Sequence, residues 1–147
     1  MSAVPVKLME WTRKHSIHVP EVDKEHRHFF DLLNRLHAAM LAGKGATVLR
    51  PLLVETVQYT HDHFAHEEVL MAEARYPGLR GHREQHTKLK QTAMEFMERY
   101  ERGEATMTIE FTLFLSDWIK QHLMETDRLL GEYLIATGRA SQPGGRR

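Results

Sequence analysis

Apolar residues recur every three or four positions along four long stretches of the chain, and short segments rich in glycine or proline separate these stretches. This spacing places the apolar residues on one face of a helix, whereas no stretch of useful length alternates in the manner of a strand. The pattern predicts helices near residues 22–41, 48–76, 79–102 and 107–137. Glycine or proline follows each of them closely, as is typical of helix ends.

Four helices of this length joined by short loops favour antiparallel neighbours. We therefore expect an all-α fold, an up-down-up-down antiparallel four-helix bundle with a non-helical N-terminal arm. The arm covers residues 1–20, and Trp11 is expected to pack it against the bundle. One domain is predicted over residues 1–137, followed at 138–147 by a tail that we expect to be disordered because glycine and polar residues dominate it.

Composition and charge exclude several classes of function. The 147 residues contain 20 basic and 20 acidic side chains, so no electrostatic footprint for nucleic acid or an acidic membrane surface is visible. The absence of cysteine excludes disulfides and thiolate metal sites. The first residues lack the apolar core of a secretory signal, and no stretch approaches the roughly 18 apolar residues of a membrane span. We expect a cytoplasmic protein without a nucleic-acid partner or a membrane span.

Histidine is unusually frequent, with 11 copies spread along the chain. Histidine is the commonest metal ligand in proteins, so the spacing of these residues matters. Each predicted helix carries ligand-type polar residues within its apolar stripe, and in two helices they form pairs four residues apart, which lie on one face. The residues are His26 in the first helix, His63 and Glu67 in the second, His82 and His86 in the third, and His122 in the fourth.

The depth of these histidines in the bundle tests whether they form one site. Each helix has a histidine 15 or 16 residues from its end at the same end of the bundle, namely His26, His63, His86 and His122. At about 1.5 Å rise per residue, the four depths agree within a few ångströms. A lone buried histidine is more often a hydrogen-bonded core residue than a ligand. Six ligand-type side chains at one level carry a large desolvation cost without a metal, so we favour a metal centre.

The number of ligands indicates a dinuclear centre. Five imidazoles and at least one carboxylate are too many for one tetrahedral zinc ion. The zinc-protease pattern H-E-x-x-H fails because Leu70 stands where the second histidine after His66-Glu67 is needed. The ferritin-like plan requires E-x-x-H motifs on two helices, and only Glu25-x-x-His28 has that spacing.

At this point the chain resembles a known family. The motifs in chain order are Asp23-Lys24-Glu25-His26, His63-Phe64-Ala65-His66-Glu67-Glu68 with Met71, Tyr76-Pro77 with His82-x-x-x-His86, and Trp118-Ile119-x-x-His122-x-x-x-x-Asp127. From Trp11 to Tyr133 the sequence is similar to the hemerythrins, and among them to the single-domain bacteriohemerythrins. The ordered set H…HxxxE…HxxxH…HxxxxD is a specific signature of that family.

The resemblance implies two iron ions per chain, bridged by an oxo or hydroxo group. One iron is then six-coordinate, and the other keeps an open position at which dioxygen binds. Ile119 and Leu123 are candidates for an apolar wall over that position. The implied ligands are His82, His86 and His122 for one iron, His26 and His63 for the other, and Glu67 and Asp127 as bridges between them.

The resemblance also implies a function, which is reversible dioxygen binding for carriage, storage or delivery to an unidentified protein recipient. On this interpretation the protein is not an enzyme. Two alternatives stay open: a di-iron enzyme acting on peroxide, nitric oxide or dioxygen, and an oxygen-sensing or iron-handling module. The oligomeric state is not readable from the sequence.

Helical geometry does not by itself select Asp127. On an ideal helix Asp127 lies about 140° around from His122, whereas Glu125 lies only about 60° away. Only the resemblance favours Asp127. Two further residues lie outside the predicted ligand set. His66 flanks the face of His63 and Glu67, and two interpretations stay open for it, a partner behind a ligand or a residue on an exposed face, of which we favour the exposed face. Glu68 is expected to be a solvated neighbour of the inward carboxylate.

Overall fold

The computed structural model describes residues 8–43, 46–104 and 107–139. Within these ranges the chain is helical and contains no strand. α4, a π-helical turn and α5 follow one another without interruption and together form the fourth rod of the bundle. The elements are a 3₁₀ turn at Arg13–His15, α1 at Pro20–Leu41, α2 at Ala46–Glu73, α3 at Leu79–Glu101, α4 at Met107–Gln121, the π-helical turn at His122–Asp127 and α5 at Arg128–Ala136.

The helices begin and end within a few residues of the predicted positions, and local chemistry explains the differences. α1 starts at Pro20, because proline has no N–H to lose at the first position of a helix. α2 ends before the predicted boundary because Arg75 adopts a left-handed conformation with φ of 54°. The N–H of Tyr76 then donates to the carbonyl of Met71 at 2.9 Å, which closes the helix.

The four rods pack in a closed ring. α1 contacts α2 and α4, α3 contacts both α2 and α4, and short connections join consecutive rods. This is the arrangement of an antiparallel four-helix bundle, so the predicted fold class is confirmed.

Two apolar clusters divide the interior of the bundle. The larger cluster includes Phe29, Leu36, Leu53, Phe111 and Leu115. The smaller cluster consists of Ile17, Val19, Val22, Met71, Ala74, Leu130 and Leu134. Along α1, buried His26 lies between Val22 of the smaller cluster and Phe29 of the larger cluster. α2 and the fourth rod also carry residues of both clusters. On α3 the partly buried Leu79 packs against the smaller cluster, and Leu89 of the larger cluster follows the buried His82 and His86. A buried polar layer therefore separates the two clusters.

The N-terminal arm is fixed to α1 by an aromatic contact and a pair of hydrogen bonds. The ring of Trp11 meets the edge of Phe30 at a centroid distance of 5.3 Å, which confirms that Trp11 packs the arm against the bundle. The N–H of Met9 donates to Asn34 Oδ1 at 2.8 Å, and Asn34 Nδ2 donates back to the carbonyl of Met9 at 2.7 Å.

Further along, the arm crosses α5 at close range. A Cβ atom added to Gly131 would lie 2.5 Å from the carbonyl oxygen of Ile17, so only glycine permits this approach. His18 follows in a left-handed conformation with φ of 64°. The arm therefore holds the part of the fourth rod that follows the π-helical turn.

Over the described residues, no helix is both long enough and apolar enough to cross a membrane. From residue 140 onward the predicted tail lies outside the described residues. The assignment of residues 1–137 to a single domain stays a prediction.

Candidate metal centre

Two regular helices present pairs of ligand-type side chains to the interior of the bundle. His63 and Glu67 lie one turn apart on α2, and His82 and His86 lie one turn apart on α3. Residues four apart on an α-helix share a face, so each pair faces the same way. All four residues are buried.

The fourth rod places its two ligand-type residues on one face by a change of helix type. The π-helical turn runs from His122 to Asp127, and the N–H of Arg128 donates to the carbonyl of Leu123, five residues earlier. Such a turn accommodates one extra residue, so positions five apart come to the same side. Asp127 is only 2 % exposed, whereas Glu125 is exposed. The structure therefore brings Asp127 to the interior.

Three imidazoles converge in the first of two groups. His122 Nε2 lies 3.2 Å from His82 Nε2 and 3.3 Å from His86 Nε2. Glu67 Oε1 lies 2.9 Å from His82 Nε2 and 3.1 Å from His86 Nε2. Asp127 Oδ1 lies 2.9 Å from His82 Nε2 and 3.0 Å from His122 Nε2. We call these three histidines the three-histidine group.

Two further imidazoles, from α1 and α2, face the other oxygens of the same carboxylates. His26 Nε2 lies 3.1 Å from Asp127 Oδ2 and 3.6 Å from Glu67 Oε2. His63 Nε2 lies 3.4 Å from Glu67 Oε2. We call His26 and His63 the two-histidine group. Glu67 and Asp127 thus each direct one oxygen to each group.

All seven residues that the sequence and the resemblance predict as ligands converge here: five histidines form the two groups, and Glu67 and Asp127 count toward both of them. In each group, one candidate ligand atom from every member lies within 4.8 Å of those of the others. A metal ion binds imidazole and carboxylate at about 2.0–2.2 Å, which separates neighbouring ligand atoms by roughly 3 Å. The contacts between donor atoms, from 2.9 to 3.6 Å, match that spacing.

The donor set is unsatisfied as it stands, which is the test of whether it fits metal ions. The Nδ1–H groups of His86 and His122 each donate outward to an acceptor, so in the neutral rings both Nε2 atoms carry lone pairs. These two lone pairs face each other at 3.3 Å. Glu67 Oε2, Asp127 Oδ1 and His26 Nε2 are buried without a hydrogen-bond partner. A cation between these atoms satisfies all of them.

The two buried carboxylates also demand positive charge. Burial alone would lower the pKa of His63, but the charge of Glu67 and hydrogen bonds to carboxylates raise it to about 10. Burial likewise opposes protonation of His82, yet the carboxylates of Asp127 and Glu67, each 2.9 Å from its Nε2, raise its pKa to about 9. Burial and the neighbouring carboxylate would raise the pKa of Asp127, but the facing histidines hold it well below its usual value. Metal cations supply this charge without protonated imidazoles.

Two carboxylates stand behind ligand-type histidines. His63 Nδ1 donates to Glu25 Oε1 at 2.6 Å, and His66 Nδ1 donates to Glu25 Oε2 at 2.7 Å. Burial would raise the pKa of Glu25, but the hydrogen bonds with these histidines lower it overall. His86 Nδ1 donates to Glu68 Oε2 at 3.0 Å. Such partners fix the tautomer of a metal-binding imidazole, leaving Nε2 free for the metal.

An amide plays the same part on the fourth rod. His122 Nδ1 donates to Gln85 Oε1 at 2.8 Å, and Thr126 Oγ1 donates to the same oxygen at 3.0 Å. The ring of Trp118 stacks on that of His122 with centroids 4.3 Å apart. The imidazole of His122 is therefore oriented by a hydrogen bond at its Nδ1 edge and by stacking of Trp118 on its face.

Sequence reasoning missed these outer partners. For His66 the exposed face was favoured over a partner role, whereas the structure shows a side chain that is 37 % exposed and hydrogen-bonded to Glu25. Glu68 was expected to be solvated, but its carboxylate is only 20 % exposed and accepts from His86. One feature of the sequence could have indicated Glu25 and Glu68 as partners: each is the immediate neighbour of a predicted ligand in the chain. The sequence gives no way to tell which histidine of a neighbouring helix each one meets.

Ile119 and Leu123, the predicted apolar wall, are both buried and belong to the larger apolar cluster. Ile119 lies near the end of α4, and Leu123 follows His122 directly within the π-helical turn. Their place over an open coordination position stays a prediction.

A comparison with family models matches residues 18–134 to the hemerythrin HHE cation binding domain. The match covers most of the chain and every residue of the two groups. It also covers Glu25, His66, Glu68 and Gln85.

Individual proteins are similar over nearly the whole chain. A bacteriohemerythrin of Stenotrophomonas maltophilia is 32 % identical over 94 % of this chain and 92 % of its own length. A bacteriohemerythrin of Methylococcus capsulatus is 29 % identical over 88 % of this chain and 98 % of its own. A crystal structure of a wild-type hemerythrin, also 29 % identical, superposes with a TM-score of 0.79 over 86 % of this chain and 98 % of its own.

Proposed function

We propose that this chain, which belongs to the hemerythrin family, binds dioxygen reversibly at a non-haem di-iron centre. The observation that carries the proposal is the division of both buried carboxylates between a group of three histidines and a group of two. Such a division is the expected geometry of carboxylates that bridge two metal ions. The role that follows is oxygen carriage, storage or delivery.

The assignment of ligands follows from the contacts. Each group receives one oxygen from each carboxylate, so the groups differ only in the number of imidazoles. The two-histidine group supplies one protein ligand fewer, and this difference leaves a coordination position for dioxygen. His82, His86 and His122 would hold one iron, His26 and His63 would hold the other, and Glu67 and Asp127 would serve both, with an oxo or hydroxo group as the proposed further bridge.

When bound, the two iron(II) ions supply the electrons on which reversible dioxygen binding draws. The chain itself supplies orientation and exclusion of water. The outer partners keep Nε2 of three imidazoles directed inward, and the apolar clusters on both sides bury the donor atoms. Ile119 and Leu123 are the proposed apolar wall beside the open position. A dry, apolar pocket suits a small uncharged ligand such as dioxygen.

The donor set favours carriage over turnover of a substrate. Five imidazole nitrogens make the centre richer in nitrogen than the carboxylate-rich sites of ferritin-like di-iron proteins. A surface cleft of about 270 Å³ lies beside His122 and is lined by Gln85, Trp118 and Glu125 among others. The cleft is lined by Gln85 and Thr126, the residues at the Nδ1 edge of His122, and this edge faces away from the donor atoms. A substrate in the cleft would therefore not reach the proposed open coordination position. Cytoplasmic location and a protein recipient stay predictions.

The test is reconstitution of the metal-free protein with iron(II) in the absence of oxygen, followed by metal counting and visible absorption spectra. Admission of air and then removal of oxygen completes one cycle. We expect two irons per chain and a visible absorption band that develops in air and fades when oxygen is removed. Protein loaded with zinc, which has no redox chemistry, is the control and should show no such band.

Each other outcome has a definite meaning. Two irons with immediate, irreversible oxidation would contradict reversible binding and favour an enzyme or a sensor. One metal per chain, or none, would overturn the di-iron centre itself.

A further inference from the structure

The five histidines of the centre differ in what their outward-facing nitrogen meets. Nδ1 of His63 and of His86 donates to a carboxylate, and Nδ1 of His122 donates to an amide oxygen. Nδ1 of His26 and of His82 is buried and has no hydrogen-bond partner among the residues that the structure describes. The three-histidine group therefore has two rings held by hydrogen bonds, whereas the two-histidine group has only one.

The single held ring of the two-histidine group depends on Glu25. Its carboxylate lies on α1, directly before His26, and reaches across to His63 on α2. The carbonyl of Glu25 also accepts a hydrogen bond from Tyr59 Oη at 3.2 Å, which ties the same residue to α2 a second time. The ring of Tyr59 lies nearly parallel to that of His63, with an angle of 7° between the planes.

Glu25 is itself held by His66, one turn along the same face of α2. The two contacts use different oxygens, at 2.6 Å for His63 and 2.7 Å for His66, so the carboxylate is fixed at both ends. The side chain of His66 is 37 % exposed, and that of Glu25 is 25 % exposed. A half-exposed histidine is thus joined to a buried one through a single carboxylate.

We propose that Glu25, held by His66, is the positioning residue that sets the metal affinity of the two-histidine group. This inference rests on the proposed function, because it treats the two groups as separate metal sites. A carboxylate behind an imidazole orients the ring and raises its basicity, and loss of such a partner typically costs 10–100-fold in metal affinity. Since His26 has no partner of its own, nothing else in its group compensates for the loss.

Glu68 provides the matched comparison on the other side of the centre. It accepts from His86 at 3.0 Å and lies 3.5 Å from Arg83. Loss of Glu68 leaves His122 held by Gln85, so the three-histidine group keeps one of its two supports. We expect Glu68→Ala to weaken one metal site less than Glu25→Ala weakens the other.

The experiment is a titration of the metal-free protein with Co²⁺ against a competing chelator, without oxygen. Wild type should bind two ions per chain. Glu25→Ala should raise one dissociation constant 10–100-fold, leave the other nearly unchanged, and shift the visible Co²⁺ spectrum of the weakened site. His66→Leu should act in the same direction. His66→Gln should restore affinity, because its side-chain amide can donate to Glu25.

Two controls separate positioning from damage to the fold. His61→Leu removes an exposed histidine of the same helix that contacts no ligand, and both constants should stay at wild-type values. Adding Glu25→Ala to His26→Ala, which already disables the two-histidine group, should weaken the remaining site little further. If Glu25→Ala no longer unfolds cooperatively without metal, Glu25→Gln takes its place, with a smaller rise in the same constant because the acceptor remains.

Three results would overturn the inference. The first is that both constants stay unchanged in the Glu25 variants. The second is that both constants rise equally, with the same rise in the His26→Ala background. The third is that His66→Gln behaves as His66→Leu does. A wild-type protein that binds fewer than two ions is a different failure, because it removes the proposed di-iron centre before any variant is compared.

Discussion

The bundle positions a histidine and a carboxylate on one face in two different ways. On α2, His63 and Glu67 are four residues apart in a regular helix. On the fourth rod, His122 and Asp127 are five apart, and a π-helical turn takes up the extra residue. Both carboxylates nevertheless end at the same place, each with one oxygen toward either group of histidines.

The difference shows that a local change of helix type can compensate for one extra residue between two converging side chains. A π-helical turn is rare and has poorer packing than an α-helical turn, so it persists where a function requires it. On an ideal α-helix, His122 and Asp127 would point about 140° apart, and the π-helical turn brings both side chains to the same face. After the turn, α5 continues and places Leu130 and Leu134 in the smaller apolar cluster.

The largest effect should come from breaking the regular spacing on α2. Removal of Ala65 brings Glu67 to three residues after His63 and rotates the following part of α2 by about 100°. Met71 would then leave the smaller apolar cluster or His63 would leave the centre. We expect loss of both metals and of cooperative thermal unfolding, measured by metal counting and circular dichroism. Retention of two metals would contradict the register argument.

Next in size is loss of the bridging carboxylate of the fourth rod. Asp127→Asn keeps the shape of the side chain but removes its charge and one of its two oxygen donors. We expect the weaker of the two metal affinities to fall by more than the roughly 10–100-fold typical of a partner behind a ligand. Competition titration with a chelator measures it. Glu125→Gln on the same turn is the matched control, and if only that variant lost metal, the assignment of Asp127 would be wrong.

The sequence predicted the helices and the common level of the histidines because both depend on one regular period. His26, His63, His86 and His122 meet in the interior as their equal depths predicted. Asp127 was out of reach of that reasoning, because a fixed rotation per residue places it away from His122. No local sequence pattern predicts the π-helical turn.

The outer partners were missed for a related reason. The partners of Glu68 and His66 depend on how α2 is rotated about its own axis relative to α1 and α3. The apolar period predicts which face of α2 points inward, but it does not fix that rotation to a single residue. A small rotation of α2 decides whether the carboxylate of Glu68 is solvated or accepts a hydrogen bond from His86. The metal-binding role of the ligands, and the wall formed by Ile119 and Leu123, stay predictions until the titrations are done.

A smaller effect should come from the contact that holds the rod beyond the π-helical turn. Gly131→Ala places a methyl group against the carbonyl of Ile17, where a Cβ atom has only 2.5 Å. Because backbone must move, we expect a loss of about 1–3 kcal/mol, or roughly 2–12 °C in the melting temperature. Gly81→Ala is the control, because Gly81 is an exposed residue of α3 and no described atom lies within 4 Å of the added Cβ atom. This variant should not lower the melting temperature. An unchanged melting temperature for Gly131→Ala would mean that the arm moves aside freely.

The smallest effect, and the sharpest test, should come from removing Glu125. The fourth rod then carries its histidine and aspartate four residues apart, which is the spacing of His63 and Glu67. A regular α-helix meets that spacing, so the π-helical turn is no longer needed and α5 keeps its register. We expect two metals per chain and a melting temperature at or above that of wild type, in contrast to removal of Ala65. Loss of metal with an intact fold would show that the π-helical turn sets a direction of the Asp127 carboxylate that four-residue spacing does not reproduce.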